Sequence, residues 1–94
     1  MNIGIDMMGG DFAPLEAVKG VKQYLSNNQQ NVFCIGDATQ LEGLFQQHGI
    51  ASPFLHLVDA PEVIGYHEHP TKALKEKPNS SIAIGFRYLA EGKI

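Results

Sequence analysis

The chain has 94 residues, enough for one domain with a modest core. Apolar residues make up 44% of it and charged residues 18%, which excludes a disordered chain, and the net charge of −3 excludes the general basic footprint of a nucleic-acid binder. The one cysteine, Cys34, cannot form an intrachain disulfide, no apolar run nears the ~20 residues of a membrane span, and the start has no signal-peptide pattern, so a soluble cytoplasmic chain is expected.

Residues 2–6 alternate apolar with small or polar residues and read as a first strand. Asp6-Met7-Met8-Gly9-Gly10-Asp11-Phe12-Ala13-Pro14 follows, and then a helical pattern from about Pro14 to Ser26. Strand, glycine pair and helix start form the first turn of a βαβ unit, and ligands of open α/β sheets sit beyond such strand ends. Glycines at 9 and 10 can take positive φ and let backbone or ligand approach. The turn is neither G-x-G-x-x-G nor a Walker loop. Its two acids would repel a bare phosphate, so Asp6 and Asp11 are read as acceptors that hold loop amides, with Asp11 a candidate N-cap.

Leu15, Val18, Val21 and Leu25 make the apolar stripe of the first helix, and the run from Asn27 to Asn31 breaks it. Val32-Phe33-Cys34-Ile35, ending at Gly36, has the pattern of a central parallel strand, with Cys34 as a small buried hydrophobe. Asp37 should cap a second helix, Gln40 standing at capping-box spacing; Leu41, Leu44 and Phe45 supply its buried face and Gly49 its C-terminal stop. Residues 54–58 read as a third strand in which His56 is a partly covered residue. The order β-α-β-α-β with short links predicts three parallel strands.

From Asp59 to Asn79 the periodicity fails, and long connections of this kind are often functional. A short helix from Thr71 to Lys77, stopped by Pro78, fits within it. Ser80 or Ser81 then caps a last element over 82–91, read as a helix from its length and from Gly92, with a strand over 82–86 as the alternative. Ile82, Phe86 and Leu89 are its helical stripe. A βαβ pattern would place another strand beyond Ile94, so residues 1–94 are read as the N-terminal portion of one larger α/β domain.

Four features carry chemistry. His67-Glu68-His69 lacks a third and fourth ligand at a recognisable metal-site spacing, Glu62 being no more than a guess, and is read as a loop fixed by His69 and Pro70; no metal is expected. Lys72, Lys75 and Lys77 are first solvated charges and second a patch for an anionic partner. Lys77-Pro78-Asn79-Ser80-Ser81 joins a cation, two hydroxyls and a helix start, which are the parts of an oxyanion or phosphate site, although both serines are caps first. No catalytic triad or cysteine–histidine pair can be assembled from spacing.

The opening stretch resembles the D-x-M-G-G-D-x-A-P signature of bacterial phosphate acyltransferases. Gly36-Asp37, Glu62-Val63-Ile64, Glu68-His69-Pro70, Ser80-Ser81-Ile82 and Glu91-Gly92-Lys93 follow in that family's order, so the resemblance spans the whole chain. The sequence departs from the family at Gly65-Tyr66-His67 and Thr71-Lys72. The resemblance implies a three-layer α/β/α fold with a mostly parallel sheet, Rossmann-like and similar to isocitrate and isopropylmalate dehydrogenases and phosphotransacetylase, but with no cofactor. It implies fatty acyl transfer from acyl carrier protein to inorganic phosphate, giving acyl phosphate for phospholipid synthesis. A homodimer is implied, peripheral at the inner face of the cell membrane, with a glycerol-3-phosphate acyltransferase as a further partner.

On this reading Asp6, Gly9, Gly10, Asp11, His69, Lys77, Ser80 and Ser81 are candidates for the substrate or phosphate side, and Lys72 and Lys75 for the carrier protein. The family's S-x-G-N-T-G-like motif would lie past Ile94, so residues 1–94 alone are expected to be inactive. A phosphotransacetylase-like enzyme and a non-catalytic α/β binding domain remain as alternatives.

Overall fold

The computed structural model describes residues 2–9, 13–62, 64 and 70–94. The elements run β1 (Ile3–Asp6), α1 (Leu15–Asn27), β2 (Val32–Gly36), α2 (Ala38–Gln47), β3 (Leu55–Asp59), α3 (Pro70–Glu76) and α4 (Ser81–Ala90). The three strands form one parallel sheet with β2 in the centre. This is the α/β class expected, with β2 in its expected place. In register, Gly4 lies beside Phe33, which lies beside His56, and Asp6 lies beside Ile35, which lies beside Val58.

The two-residue period of a strand divides side chains between the faces of the sheet. On one face Val32 and Cys34 meet Val18 and Val21 of α1 and Leu41 and Phe45 of α2, with Met7 also buried. On the other, Ile35 meets Ile84 of α4, with Ala60 buried and Val58, Tyr88 and Ile94 packed around them. Cys34 is fully buried, and loss of solvation pushes its thiol up to about 12. It is the inert apolar residue expected.

Helix ends follow local chemistry. Asp37 accepts a hydrogen bond from the Gln40 N–H at 3.2 Å, capping α2 as its spacing predicts. Gly49 (φ 67°) and Gly92 (φ 74°) stop α2 and α4 in the left-handed region. In both, the residue after the glycine donates to a carbonyl five positions back: Ile50 to Phe45 and Lys93 to Tyr88. At the end of α1, Asn27 and Asn28 turn their side-chain amides back onto the carbonyls of Gln23 and Tyr24 instead.

Three expectations need correction. The first helix begins at Leu15; Pro14 occupies the cap position and supplies no side-chain bond, while Asp11 lies outside the described residues. Leu15 is exposed, and Tyr24 and Ala17 join the packed side of α1 instead. The stripe of α4 is not its buried side: Ile82, Phe86 and Leu89 are 41%, 56% and 59% exposed. Ile84 faces the sheet, and Gly85 brings the helix close to Ile35. Among the described residues no helix is long and apolar enough to cross a membrane.

Candidate functional site

The carboxyl ends of the three parallel strands carry one aspartate each: Asp6 at the end of β1, Asp37 just past β2 and Asp59 at the end of β3. Each accepts a backbone N–H. Asp6 Oδ1 accepts from Met8 at 3.0 Å, Asp37 Oδ1 from Gln40, and Asp59 Oδ1 from Ala38 at 3.2 Å. Asp6 therefore holds the loop after β1, as its position in the sequence suggests. Asp37 and Asp59 together satisfy two of the N–H groups that the first turn of α2 leaves without helical partners.

Asp6 does more. Its Oδ1 also accepts the hydroxyl proton of Ser81, 2.5 Å away and 75 residues along the chain. This bond joins the opening signature to the start of α4. Ser81 is the first residue of α4 and is buried. Ser80, 1% exposed, is the N-cap, and its Oγ accepts from the Ala83 N–H at 3.4 Å. Both serines are thus caps or tethers in their visible bonds, and the first turn of α4 stands at the carboxyl end of β1.

The approach to α4 is fastened in several places. Glu62 pairs with Ser80 in a parallel bridge, donates its N–H to Asn79 O and accepts the Asn79 N–H on Oε1 at 2.9 Å. The Lys77 carbonyl accepts the Ser80 N–H, and Arg87 Nη2 donates to Pro78 O at 2.9 Å. The tight turn from Lys77 to Ser81 is therefore held from both sides. Lys77 itself is half-buried in it.

Gly9 lies beside Asp6, but it does not take positive φ, and a Cβ there would meet Asp6 Oδ2 at an ordinary 3.5 Å. The positive φ that glycine allows is thus not used at Gly9, and Gly10 lies outside the described residues. A close approach occurs at Gly36, where a Cβ would stand 3.0 Å from Met8 Cγ and 3.1 Å from Leu41 Cδ1. Met8 folds down onto Gly36, so the loop after β1 rests on the end of β2.

The structure thus brings Asp6, Gly9, Ser80 and Ser81 to one end of the sheet, with Lys77 joined to Ser80 through its backbone. Lys72 and Lys75 lie exposed on α3, and Lys72 pairs with Glu76 at 3.8 Å. Gly10, Asp11 and His69 lie outside the described residues, as do His67 and Glu68. Among the described residues no three His, Cys, Asp or Glu side chains converge as metal ligands. His56 is half-buried, stacked on Phe33 and bonded to Asn31 Oδ1 at 3.0 Å, a strand residue as expected.

Sequence reasoning missed Asp59 as the second anchor of α2 and Arg87 as the brace of the α3–α4 turn. Asp59 had a usable signal: an acid at a strand's carboxyl end next to a neighbouring helix start. Arg87 had none, because its partner is a carbonyl.

The whole chain, residues 1–94, matches the model of a family described as fatty acid synthesis protein. It is 38% identical over 94 residues to a phosphate acyltransferase of Dictyoglomus thermophilum and 41% identical over 95 residues to one of Caldicellulosiruptor bescii. Each alignment covers all of this chain and 28% of the relative. A phosphate acyltransferase of Tolumonas auensis is 38% identical over 95 residues, again across 28% of its length. The chain therefore spans a little over a quarter of the curated relatives it matches, at their N-terminal end. With a strand-end aspartate, Gly9 and a serine pair in one place and a family match along its full length, the chain belongs to the fatty acid synthesis protein family.

Proposed function

We propose that this chain supplies the N-terminal part of a phosphate acyltransferase, moving a fatty acyl group from acyl carrier protein to inorganic phosphate to give acyl phosphate for phospholipid synthesis. The observation that carries the reading is the Ser81–Asp6 bond, which draws the signature after β1 and the start of α4 to the ligand-binding end of the sheet. The names of the relatives support the reaction class.

In the reaction a phosphate oxygen attacks the thioester carbonyl carbon. A C–O bond forms, the C–S bond breaks, and the thiolate leaves with the electron pair and takes up a proton. The protein must bring two reactants together and donate hydrogen bonds to the oxyanion that develops. Asp6 serves as a positioning residue: bonded to Met8 N–H and to Ser81 Oγ, it sets the loop carrying Gly9 against the first turn of α4. The N–H groups of that turn, together with Lys77, form the anion-facing side, with the helix dipole favouring negative charge there. Ser80 holds the turn in shape. Lys72 and Lys75, exposed on α3, steer an acidic carrier protein. The homodimer, the peripheral membrane association and the glycerol-3-phosphate acyltransferase partner belong to the same proposal.

The test joins residues 1–94 to the part of the Dictyoglomus thermophilum protein that follows its matched region. The chimera is supplied with acyl carrier protein thioester and phosphate, and acyl phosphate is trapped with hydroxylamine. Product is expected, and Asp6→Asn or Ser81→Ala should reduce kcat by about tenfold or more by misplacing the anion-facing turn. A folded chimera that makes no acyl phosphate overturns the reading.

A further inference from the structure

The carbonyl groups that lead into α4, from Lys77 to Ser80, all have donors. Lys77 O accepts from the Ser80 N–H, Pro78 O from Arg87 Nη2, Asn79 O from the Glu62 N–H and Ser80 O from the Ile84 N–H. The N–H groups divide differently. Asn79 donates to Glu62 Oε1, Ser80 to Lys77 O and Ala83 to Ser80 Oγ. Those of Ser81 and Ile82 belong to the first turn of α4, which has no helical carbonyl behind it. Among the described residues the segment therefore has its acceptors engaged within the protein and keeps two donors at the start of the helix.

Two of these contacts come from outside the turn. Glu62 clasps Asn79 twice, by its N–H on the carbonyl and by Oε1 on the N–H. Its own segment is anchored: Ala60, fully buried, donates its N–H to Gly36 O at the end of β2, at 2.7 Å. The clasp thus carries the position of the sheet's carboxyl end to the turn. Arg87 reaches back nine residues to Pro78 O at 2.9 Å. The turn does not need either to close, since the Ser80 N–H bond to Lys77 O closes it and the Ser80 side chain caps α4. What the two residues add is direction. A carbonyl oxygen aimed at an anion repels it, whereas donors fixed in advance stabilise an anion without reorganising.

We infer that Glu62 and Arg87 are positioning residues for phosphate, which hold the carbonyls of the turn away from the anion and the Ser81 and Ile82 N–H groups toward it. The inference rests on the acyl-transfer reading above for the identity of the anion. Glu62 acts through the bond its Oε1 accepts and not through its charge, so an uncharged side chain with the same oxygen should serve.

The experiment uses the chimera of residues 1–94 with the Dictyoglomus thermophilum remainder. Glu62→Ala and Arg87→Ala should each raise KM for phosphate by about tenfold or more, with KM for the acyl carrier protein thioester unchanged. Glu62→Gln keeps an acceptor for the Asn79 N–H and should return KM for phosphate to within about threefold of the parent. Glu16→Ala, which removes an exposed acid on α1, should leave both KM values unchanged. A substitution that acts only by unfolding part of the protein lowers the apparent kcat and leaves KM where it was.

An unchanged phosphate KM in folded Glu62→Ala and Arg87→Ala overturns the inference, and so does a Glu62→Gln variant as impaired as Glu62→Ala. A folded parent chimera that makes no acyl phosphate sinks the acyl-transfer reading alone. The inference is then decided by titrating inorganic phosphate against the same proteins and following the Ser81 and Ile82 amide resonances. Shifts in the parent that need about tenfold more phosphate in the two alanine variants uphold it. No shift in the parent, or equal binding in all, overturns it.

Discussion

The two faces of the sheet are closed to different degrees. On one, α1 and α2 bury Val18, Val21, Leu41 and Phe45 against Val32 and Cys34. On the other, α4 is the helix packed on β1 and β2, and it leaves Ile82, Phe86 and Leu89 in solvent while Ile84 reaches Ile35. The strands are the same strands, so the difference lies in what is laid over them. The first face is a finished core, and stability should concentrate there. The second face carries the Asp6–Ser81 bond, so the candidate site lies on the less covered side.

The sharpest way to break this contrast is one truncation on each face. Leu41→Ala should cost about 2–5 kcal/mol, by lost transfer energy and the cavity left behind. Phe86→Ala should cost far less, about 0.5 kcal/mol, because the residue is already more than half exposed. Urea unfolding of the two variants against the parent measures both.

Cys34 tests the dryness of the closed face. Burial raises its thiol to about 12, so the folded chain keeps the proton while the unfolded chain gives it up from about pH 9. Stability is unaffected below about pH 9 and falls as pH rises toward about 12, by a few kcal/mol at full titration on a scale of ~1.4 kcal/mol per pH unit. The same burial predicts no thiol alkylation of the folded chain at pH 8 and full alkylation in denaturant.

Gly36→Ala should cost about 1–3 kcal/mol, because its Cβ would press on Met8 and Leu41. Asp37→Ala removes the α2 cap at a cost of about 1 kcal/mol, softened by Asp59, which keeps its bond to Ala38. Both are read from urea midpoints. The smallest effect belongs to Lys72→Ala, which breaks an exposed i,i+4 pair worth about 0.3–0.5 kcal/mol.

What could be read from the sequence was whatever is settled within a few residues. Asp37 with Gln40, Gly49 and Gly92 announce helix ends because cap and partner are local. The apolar run from Val32 placed β2 in the centre because only a strand covered on both faces is apolar throughout. The α4 stripe misled because helical spacing identifies an apolar side without saying whether anything covers it. Here Ile84 and Gly85 took the sheet side, and the row at 82, 86 and 89 faces outward. Ser80 and Ser81 were legible as caps, but the bond from Ser81 to Asp6 crosses 75 residues and leaves no trace in local pattern. The glycine pair was read as able to take positive φ; Gly9 does not, and Gly36 carries a close approach of Met8 and Leu41 that local pattern does not announce.

The central claim is that Asp6 and Ser81 form one coupled unit tying the opening signature to α4. A double-mutant cycle in urea unfolding, with Asp6→Asn, Ser81→Ala and both together, tests it most directly. The account predicts a coupling energy of about 1–3 kcal/mol, the range for a part-buried hydrogen bond to a carboxylate. Additivity of the two substitutions within about 0.5 kcal/mol would contradict it.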